Sequence, residues 1–303
     1  MNSKQFSLEV GGKTLIAEFN DLAEQANGSV MMRYGNTVVL ATAVIGKEPK
    51  DGDFFPLTVD YEERFYASGK ILGSRFIRRE GRPTDEAILS GRIVDRTIRP
   101  LFDQHIRHEV QVVLTVLSID EDDPDIISVI AASLALGTSD IPWNGPVSAI
   151  RVSKNEGFHI NPNYAQREEA NISFDLVACG KDGLINMIEV EGKEVAEDEV
   201  NKALAKASEE IEKIQAWQQD IISKIGKAKK TIEKPQLTPG TEELFASEIA
   251  PKLSDYVFSG PGKEKMAEVV AVWMKLFNEK FPEGNKALAE EYLDEKINEL
   301  LHK

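Results

Sequence analysis

The side chains of this sequence that are best suited to chemistry are its arginines. Nine of the twelve lie between residues 64 and 107, a stretch with ten basic and five acidic residues and hence a net charge of +5. The whole chain carries a net charge of −15, so the total conceals this basic segment. Because a guanidinium can form paired hydrogen bonds with a phosphate, we expect this stretch to bind an anionic ligand.

One group of candidate RNA-binding residues is the run Phe76, Ile77, Arg78 and Arg79. It lies in a loop, residues 67–83, that is rich in glycine and therefore unsuited to a helix or strand. An aromatic ring beside two guanidinium groups can stack on a base of single-stranded RNA and pair with its phosphates. The alternative is that these arginines pair with the acidic residues nearby, and the spacing leaves both open.

A second group lies on a predicted helix that begins after Thr84 and ends before Pro100. Arg92, Arg96 and Arg99 follow at helical positions i, i+4 and i+7, so they share one face. Nearby aspartates can neutralise part of this face. An arginine-lined helix next to an arginine-bearing loop nevertheless favours an RNA path.

The remaining candidates give weaker signals. Residues 120–125 hold five carboxylates, which could bind a hard cation such as Mg²⁺. Their position before a predicted helix instead favours a solvated loop that caps it. Cys179 is interpreted as a small buried residue, and no local set of residues forms an acid–base pair or a nucleophilic triad. The residues alone therefore predict no catalytic centre.

The composition bounds the class of protein. A chain of 303 residues with 42% hydrophobic residues is long enough for about two folded domains. No run approaches the roughly 20 apolar residues that span a bilayer, so no membrane partner is expected. A single cysteine and the lack of an apolar N-terminal stretch favour a cytoplasmic protein.

The patterning predicts a domain of strands and helices followed by a small all-α domain. The first domain is assigned to residues 1–226, ending in a long helix, the linker to 227–240 and the all-α domain to 241–303. Predicted strands cover residues 7–10, 14–19, 29–34, 36–45, 57–63, 109–118, 145–153, 172–179 and 184–191. Predicted helices cover residues 84–99, 124–137, 194–226, 241–249, 263–278 and 285–301.

Several longer runs carry a family resemblance. They read DFFPLTVDYEER at 53–64, YASGK at 66–70, RREGRP at 78–83 and DRTIRPLF at 95–102, with PDI at 124–126 and IPWNGP at 141–146. In this order they closely resemble the bacterial polynucleotide phosphorylase family, the polyribonucleotide nucleotidyltransferases. The resemblance covers the first ribonuclease-PH-like domain and, by position and character, the all-α domain behind it. It implies an α+β fold that is ribonuclease-PH-like (ribosomal-protein-S5-domain-2-like), with a mixed sheet and helices.

The resemblance also implies an activity. In that family phosphate attacks the 3′-terminal phosphodiester of RNA and releases nucleoside diphosphates, and the reaction is reversible. The family forms a homotrimeric ring around an RNA channel, and its implied partners are single-stranded RNA, further copies of itself and the RNA-degradation machinery. Inorganic phosphate and Mg²⁺ (or Mn²⁺) are implied for the full-length enzyme. They bind in a second core domain, so none is expected to bind specifically to these residues.

The resemblance assigns roles to both groups of candidates. Phe76, Ile77, Arg78 and Arg79 match the channel loop, usually Phe-Phe-Arg-Arg, from which Ile77 departs by the loss of one stacking ring. Arg92 and Arg96 correspond to a pair that contacts RNA phosphates near a partner's active site in related ring subunits. We expect the chain to be an N-terminal fragment of a 3′-to-5′ exoribonuclease of mRNA degradation, inactive alone. The alternatives are a non-catalytic RNA-binding ring subunit or scaffold of the same fold and a self-sufficient ribonuclease-PH-type enzyme.

Overall fold

Stretches rich in valine, isoleucine and threonine form a six-stranded sheet. Its strands are β1 (Lys4–Val10), β2 (Lys13–Phe19), β3 (Gly28–Tyr34), β4 (Thr37–Pro49), β5 (Leu57–Glu63) and β6 (His108–Ser118). They lie in the order β1-β2-β3-β4-β6-β5, with β1 to β4 antiparallel to their neighbours and β5 parallel to β6. The sheet is therefore mixed, as the family resemblance predicts.

The computed structural model describes residues 3–50, 52, 54–71, 73, 82–169, 171–259 and 262–302. By its internal contacts the chain divides into two units, Met1–Ile232 and Glu233–Lys303. The boundary falls inside the segment 227–240 that the sequence predicts as a linker. The first residues of that segment are bound to the first unit, because the Lys227 and Lys230 amides donate to the carbonyls of Thr138 and Asp140.

The helix predicted to carry the arginines lies in the connection between the parallel strands β5 and β6. It is α1 (Asp85–Ile98), followed by a 3₁₀ turn at Arg99–Leu101. A parallel pair requires such a crossover. The helix begins as predicted, because the Thr84 hydroxyl accepts a hydrogen bond from the Ala87 amide at 3.1 Å.

The buried side of α1 differs from the predicted apolar stripe. Ile93 and Ile98 are buried as expected, but Ile88 and Leu89 are 49% and 57% exposed. The helix approaches β5 closely at Gly91, where an added Cβ would lie 3.4 Å from the Tyr61 Cβ. The buried residues in the first turns of α1 are therefore the small ones, Ala87, Ser90 and Gly91, while Ile88 and Leu89 lie on the exposed side.

A second sheet is antiparallel. Its strands β7 (Ser148–Lys154), β8 (Phe158–Ile160), β9 (Phe174–Lys181) and β10 (Leu184–Gly192) lie in the order β10-β9-β7-β8. The helix α2 (Pro124–Thr138) packs against β3, β4 and β7 and is buried along nearly its whole length. A short helix, α3 (Tyr164–Arg167), precedes β9, and α4 (Glu197–Ile225) packs against β7 and β9.

Gly28 explains how closely the first sheet approaches α2. A Cβ added at this position would lie 2.0 Å from the Ala135 carbonyl oxygen, a distance that no side chain tolerates. The absence of a side chain at Gly28 therefore lets β3 contact the backbone of α2 directly.

The second unit is all helical, as predicted, and consists of α5 (Thr241–Glu248), α6 (Ala250–Phe258), α7 (Gly262–Lys280) and α8 (Lys286–Leu301). Its core forms around Trp273, whose indole nitrogen donates to the Ala289 carbonyl at 2.7 Å. Phe245 stacks edge-on against Trp273 and Tyr292. The sequence did not predict α6. No helix in the described part of the chain is long and apolar enough to cross a bilayer.

Candidate RNA-binding surface

The structure places two of the six predicted RNA-binding residues. Arg92 and Arg96 lie one turn apart on α1, and both side chains are exposed. Phe76, Ile77, Arg78 and Arg79 lie outside the described residues, so their role stays a prediction.

Arg99, the third arginine of the predicted helix face, is held by structural contacts. Its guanidinium binds both carboxylate oxygens of Asp95, at 3.0 and 2.6 Å. It also donates to the carbonyls of Phe55 and Leu57 at the start of β5. These contacts tie the end of α1 to the first sheet, and they leave Arg92 and Arg96 as the exposed arginines of this helix face.

Arg92 lines an open groove of about 410 Å³ between α1 and β5. The groove also contains Asp60, Glu62 and Asp95. Arg92 forms no ion pair with any residue that the structure describes. Its charge is therefore available to an anionic ligand that reaches this side of the helix.

Arg96 lies on the side of α1 that faces β10. Its guanidinium is 3.7 Å from a carboxylate oxygen of Glu189, and the two side chains are 55% and 45% exposed. A contact of this length between exposed groups contributes little stability. Arg96 can therefore exchange Glu189 for a phosphate at small cost.

The sequence did not predict a network of arginines and aspartates that joins β7, β9, α3 and the start of α2. Arg151 on β7 is 7% exposed and binds Asp175 at 2.6 Å and Asp123 at 3.2 Å, with Asp125 at 3.6 Å. Arg167 binds Asp123 and Asp175 as well. Such buried charges are tolerated because each has opposite charges beside it.

This network lines a cavity of about 460 Å³ between α1, α2 and the second sheet. Two arginines and seven carboxylates line it, namely Arg151, Arg167, Glu63, Glu86, Asp123, Asp125, Asp175, Glu189 and Glu191. Two of these carboxyl groups, Asp125 and Glu63, have a raised pKa. Burial and the neighbouring Asp123 raise the pKa of Asp125 to about 7, and burial with Glu86 and Asp123 raises the pKa of Glu63.

The cavity does not fit the phosphate or the metal ion that the family resemblance implies for the complete enzyme. Its arginines are already bound by aspartates, which compensate the charge of both guanidinium groups, although the Nε of Arg151 has no hydrogen-bond partner among the described residues. Within the described ranges, no three His, Cys, Asp or Glu side chains are grouped so that they could hold a metal ion. We therefore derive no chemical step from this cavity.

The acidic run 120–125 is solvated as predicted only at Asp120 and Glu121, which are exposed. Asp122 is 4% exposed and binds the ammonium of Lys13 at 2.6 Å. The predicted capping role is confirmed, because the Asp123 carboxylate accepts a hydrogen bond from the Asp125 amide at the start of α2. Cys179 is fully buried, and burial raises the pKa of its thiol to about 12, which suits an inert core residue.

Comparison with known proteins identifies the class of fold. Residues 11–142 match the family described as the 3′ exoribonuclease family, domain 1. The structure resembles the Archaeoglobus fulgidus exosome with RNA bound to the active site, with a TM-score of 0.53 and 16% sequence identity over 71% of this chain and 87% of that chain. Residues 11–142 are thus a first domain of the ribonuclease PH type, and the predicted α+β fold is confirmed.

Curated relatives narrow the class further. Over 270 residues the chain is 44% identical to the polyribonucleotide nucleotidyltransferase of Heliobacterium modesticaldum. This alignment covers 88% of this chain and 38% of the relative. The chain is 40% identical over 301 residues to the polyribonucleotide nucleotidyltransferase of Halalkalibacterium halodurans. This alignment covers 99% of this chain and 42% of the relative. The chain is therefore similar, over most of its length, to about two fifths of a polyribonucleotide nucleotidyltransferase, as the motif resemblance predicts.

Proposed function

We propose that these 303 residues act as the N-terminal part of a phosphate-dependent 3′-to-5′ exoribonuclease in mRNA degradation. The enzyme would convert RNA and phosphate reversibly into nucleoside diphosphates. The observation that carries the proposal is the 40% identity to a polyribonucleotide nucleotidyltransferase over 99% of this chain. In this proposal a second core domain, outside these residues, supplies the sites for phosphate and for Mg²⁺ or Mn²⁺.

The role of this part is to bind and orient RNA. Arg78 and Arg79 would pair with phosphates of the single strand, and Phe76 would stack on a base, with Ile77 adding only an apolar contact. Arg92 and Arg96 would offset phosphate charge near the 3′ end. Support for the second role is that both guanidinium groups are exposed, while Arg99 is bound by Asp95.

The proposed assembly is a homotrimeric ring with single-stranded RNA in its channel, located in the cytoplasm and open to partners from the RNA-degradation machinery. A structure of similar fold, the Archaeoglobus fulgidus exosome, has RNA bound to its active site, which supports RNA as the ligand. The second candidate function is a non-catalytic RNA-binding ring subunit or scaffold. The acidic cavity, whose two arginines are already bound by aspartates, supports the non-catalytic character that both candidate functions assign to these residues.

The test of this division of labour measures RNA binding and phosphorolysis on the same sample of the 303-residue chain. Labelled RNA is incubated with phosphate and Mg²⁺, and released nucleoside diphosphates are separated by chromatography. We expect RNA binding without release. Phosphate-dependent release would mean that this chain holds a complete active site and would overturn the proposal. If the full-length protein binds RNA but does not degrade it by phosphorolysis, the scaffold function is favoured.

Replacement of Arg78 and Arg79 by alanine, in the complete enzyme, tests the channel loop. Each lost phosphate contact makes the negative slope of log affinity against log salt shallower by about 0.7 for single-stranded RNA, so we expect a slope that is shallower by about 1.4. A matched control removes two exposed lysines of the second unit, Lys252 and Lys275. A slope that stays the same in the arginine variant contradicts the loop assignment.

Replacement of Arg92 and Arg96 by alanine tests the helix pair. We expect slower turnover of saturating RNA and nearly unchanged binding, because these residues position the 3′ end rather than hold the strand. Thermal unfolding of the same variant provides the control. A variant that unfolds at a much lower temperature but turns over RNA normally when folded would show that the two arginines are structural.

A further inference from the structure

The ion pair between Arg96 on α1 and Glu189 on β10 connects the helix face proposed to bind RNA with the acidic cavity. The guanidinium lies 3.7 Å from a carboxylate oxygen of Glu189. Glu189 also lines the cavity of about 460 Å³, whose two arginines bind aspartates instead. Among the residues that the structure describes, neither Arg96 nor Glu189 forms another ion pair. Each is therefore the main charged partner of the other.

The fold places this carboxylate beside the arginine. The Asn186 amide of β10 donates to the Thr97 carbonyl of α1 at 3.1 Å, which holds the strand against the helix. Because side chains alternate along a strand, Glu189 lies on the same face as Met187, which is 5% exposed. The carboxylate is therefore presented to Arg96 by a paired strand and not by a loop.

The charges around Arg96 favour an anion at this position. Arg92 lies one turn away on the same face of α1, so two like charges are neighbours. The Glu189 carboxylate offsets part of their repulsion. Asp95 does not compete for Arg96, because both of its carboxylate oxygens are bound by Arg99. A phosphate of RNA carries the same single negative charge as Glu189 and would meet the same two cations.

We propose that Glu189 competes with an RNA phosphate for Arg96 and thereby sets the fraction of bound RNA whose 3′ end is correctly placed. The proposal rests on the proposed function, in which Arg96 offsets phosphate charge near that end. The two side chains are 55% and 45% exposed, so a phosphate can approach the guanidinium from solvent. An exposed pair is weak, so the competition lowers productive binding by only about 1.5- to 5-fold. An uncharged ligand cannot replace the carboxylate, so the contact selects an anionic backbone.

The first test is a double-mutant cycle in the complete enzyme, with wild type, Glu189→Gln, Arg96→Ala and the double variant. The rate of the first nucleotide release from saturated RNA is measured in a single turnover. We expect Glu189→Gln to be about 1.5- to 5-fold faster than wild type, because glutamine keeps the shape without the charge. In the Arg96→Ala background the same substitution should have no effect. Higher ionic strength should reduce the advantage, since salt screens an exposed pair.

Glu191→Gln is the matched control. Glu191 is exposed on the same strand and lines the same cavity, but it forms no ion pair with an arginine that the structure describes. If this control is as fast as Glu189→Gln, or if Glu189→Gln accelerates release without Arg96, the effect is one of general charge and the proposal is overturned.

The cycle also separates this proposal from the proposed function. If Arg96→Ala is slower than wild type while Glu189→Gln is no faster than wild type, Glu189 does not compete and the proposed role of Arg96 stands. If Arg96→Ala releases nucleotides at the wild-type rate, the role given to Arg96 is wrong and this inference falls with it.

The second test changes the ligand instead of the protein. RNAs with one uncharged methylphosphonate linkage, placed at successive positions upstream of the linkage that is cleaved first, are compared with unmodified RNA. We expect Glu189→Gln to lose its advantage at one or two adjacent positions, where the missing charge would have met Arg96. An advantage that persists at every position would show that no phosphate competes with Glu189 and would overturn the proposal.

Discussion

Asp125→Asn is expected to stabilise the first unit at neutral and higher pH. Burial and the adjacent Asp123 raise the pKa of Asp125 from 3.8 to about 7, so the folded state favours its protonated form. A raised pKa contributes stability that is complete below the unfolded value and is lost as pH rises to the folded value. Asparagine has the shape of the protonated carboxyl but does not ionise, so the variant avoids this loss.

The size of the effect follows from the shift of the pKa. One pKa unit corresponds to about 1.36 kcal/mol, so a shift of about three units gives a ceiling of about 4 kcal/mol. The free energy of unfolding of Asp125→Asn should begin to exceed that of the wild type near pH 4. The difference should grow by about 1.4 kcal/mol for each pH unit and level off above about pH 7. Arg151 keeps Asp123 and Asp175 as partners in the variant.

The assay is urea unfolding at several pH values between 4 and 8.5. Tryptophan fluorescence follows both units: the transition of the first unit, which holds Trp143 and Trp217, should shift in the variant, whereas that of the second unit, which holds Trp273, should stay unchanged. Asp21→Asn, at an exposed carboxylate, is the control and should show no growing difference. If Asp125→Asn instead destabilises the protein at pH 8 and not at pH 4, then Asp125 is ionised and its contact with Arg151 is stabilising, which refutes the reasoning.

Two further predictions concern a buried thiol and a lysine at the end of a helix. Cys179 should not react with a thiol reagent at pH 8 in the native protein, because burial raises its pKa to about 12, and it should react fully in denaturant; rapid native labelling would show that the second sheet opens. Lys229→Met should lower the free energy of unfolding of the first unit by about 1–3 kcal/mol, because the Lys229 ammonium donates to the carbonyls of Leu136, Gly137 and Ser139 at the end of α2. Lys224→Met, at a lysine that is 55% exposed, should cost much less in the same urea titration, and equal losses would contradict the capping role.

Local patterns predicted most of the regular elements. β5 begins at Leu57 and ends at Glu63 as expected, and Thr84 caps α1, because strand propensity and capping depend on neighbouring residues. The sequence pattern predicts no helix between 249 and 263, but α6 follows α5 directly and has Pro251 in its first turn, a position that proline tolerates. β8 and α3 are three and four residues long, too short for periodicity to detect.

The candidate site was harder to predict, because its charges are paired by the fold. Spacing placed Arg99 on one face with Arg92 and Arg96, but whether an arginine is exposed or bound depends on carbonyls such as that of Leu57, far away in sequence. The network of Arg151 with Asp123 and Asp175 joins residues at least 24 positions apart. Local composition therefore indicated a solvated acidic loop, whereas the fold leaves only Asp120 and Glu121 exposed, buries Asp122 beside Lys13 and places Asp123 beside arginines.

In the crossover between β5 and β6, some residues are constrained by the fold and others are free to change in sequence and number. Its strands and α1 are fixed by pairing and packing, and Thr84 is fixed as the cap of α1, whereas the connection from the buried Ala67 to Thr84 only has to close the crossover for the fold to form. The entropy cost of such a connection rises with the logarithm of its length, about 0.6 kcal/mol for each doubling. Insertions, deletions and exchanges in this segment can therefore accumulate during evolution while the sheet is inherited unchanged, so affinity for the ligand can be retuned without a new fold.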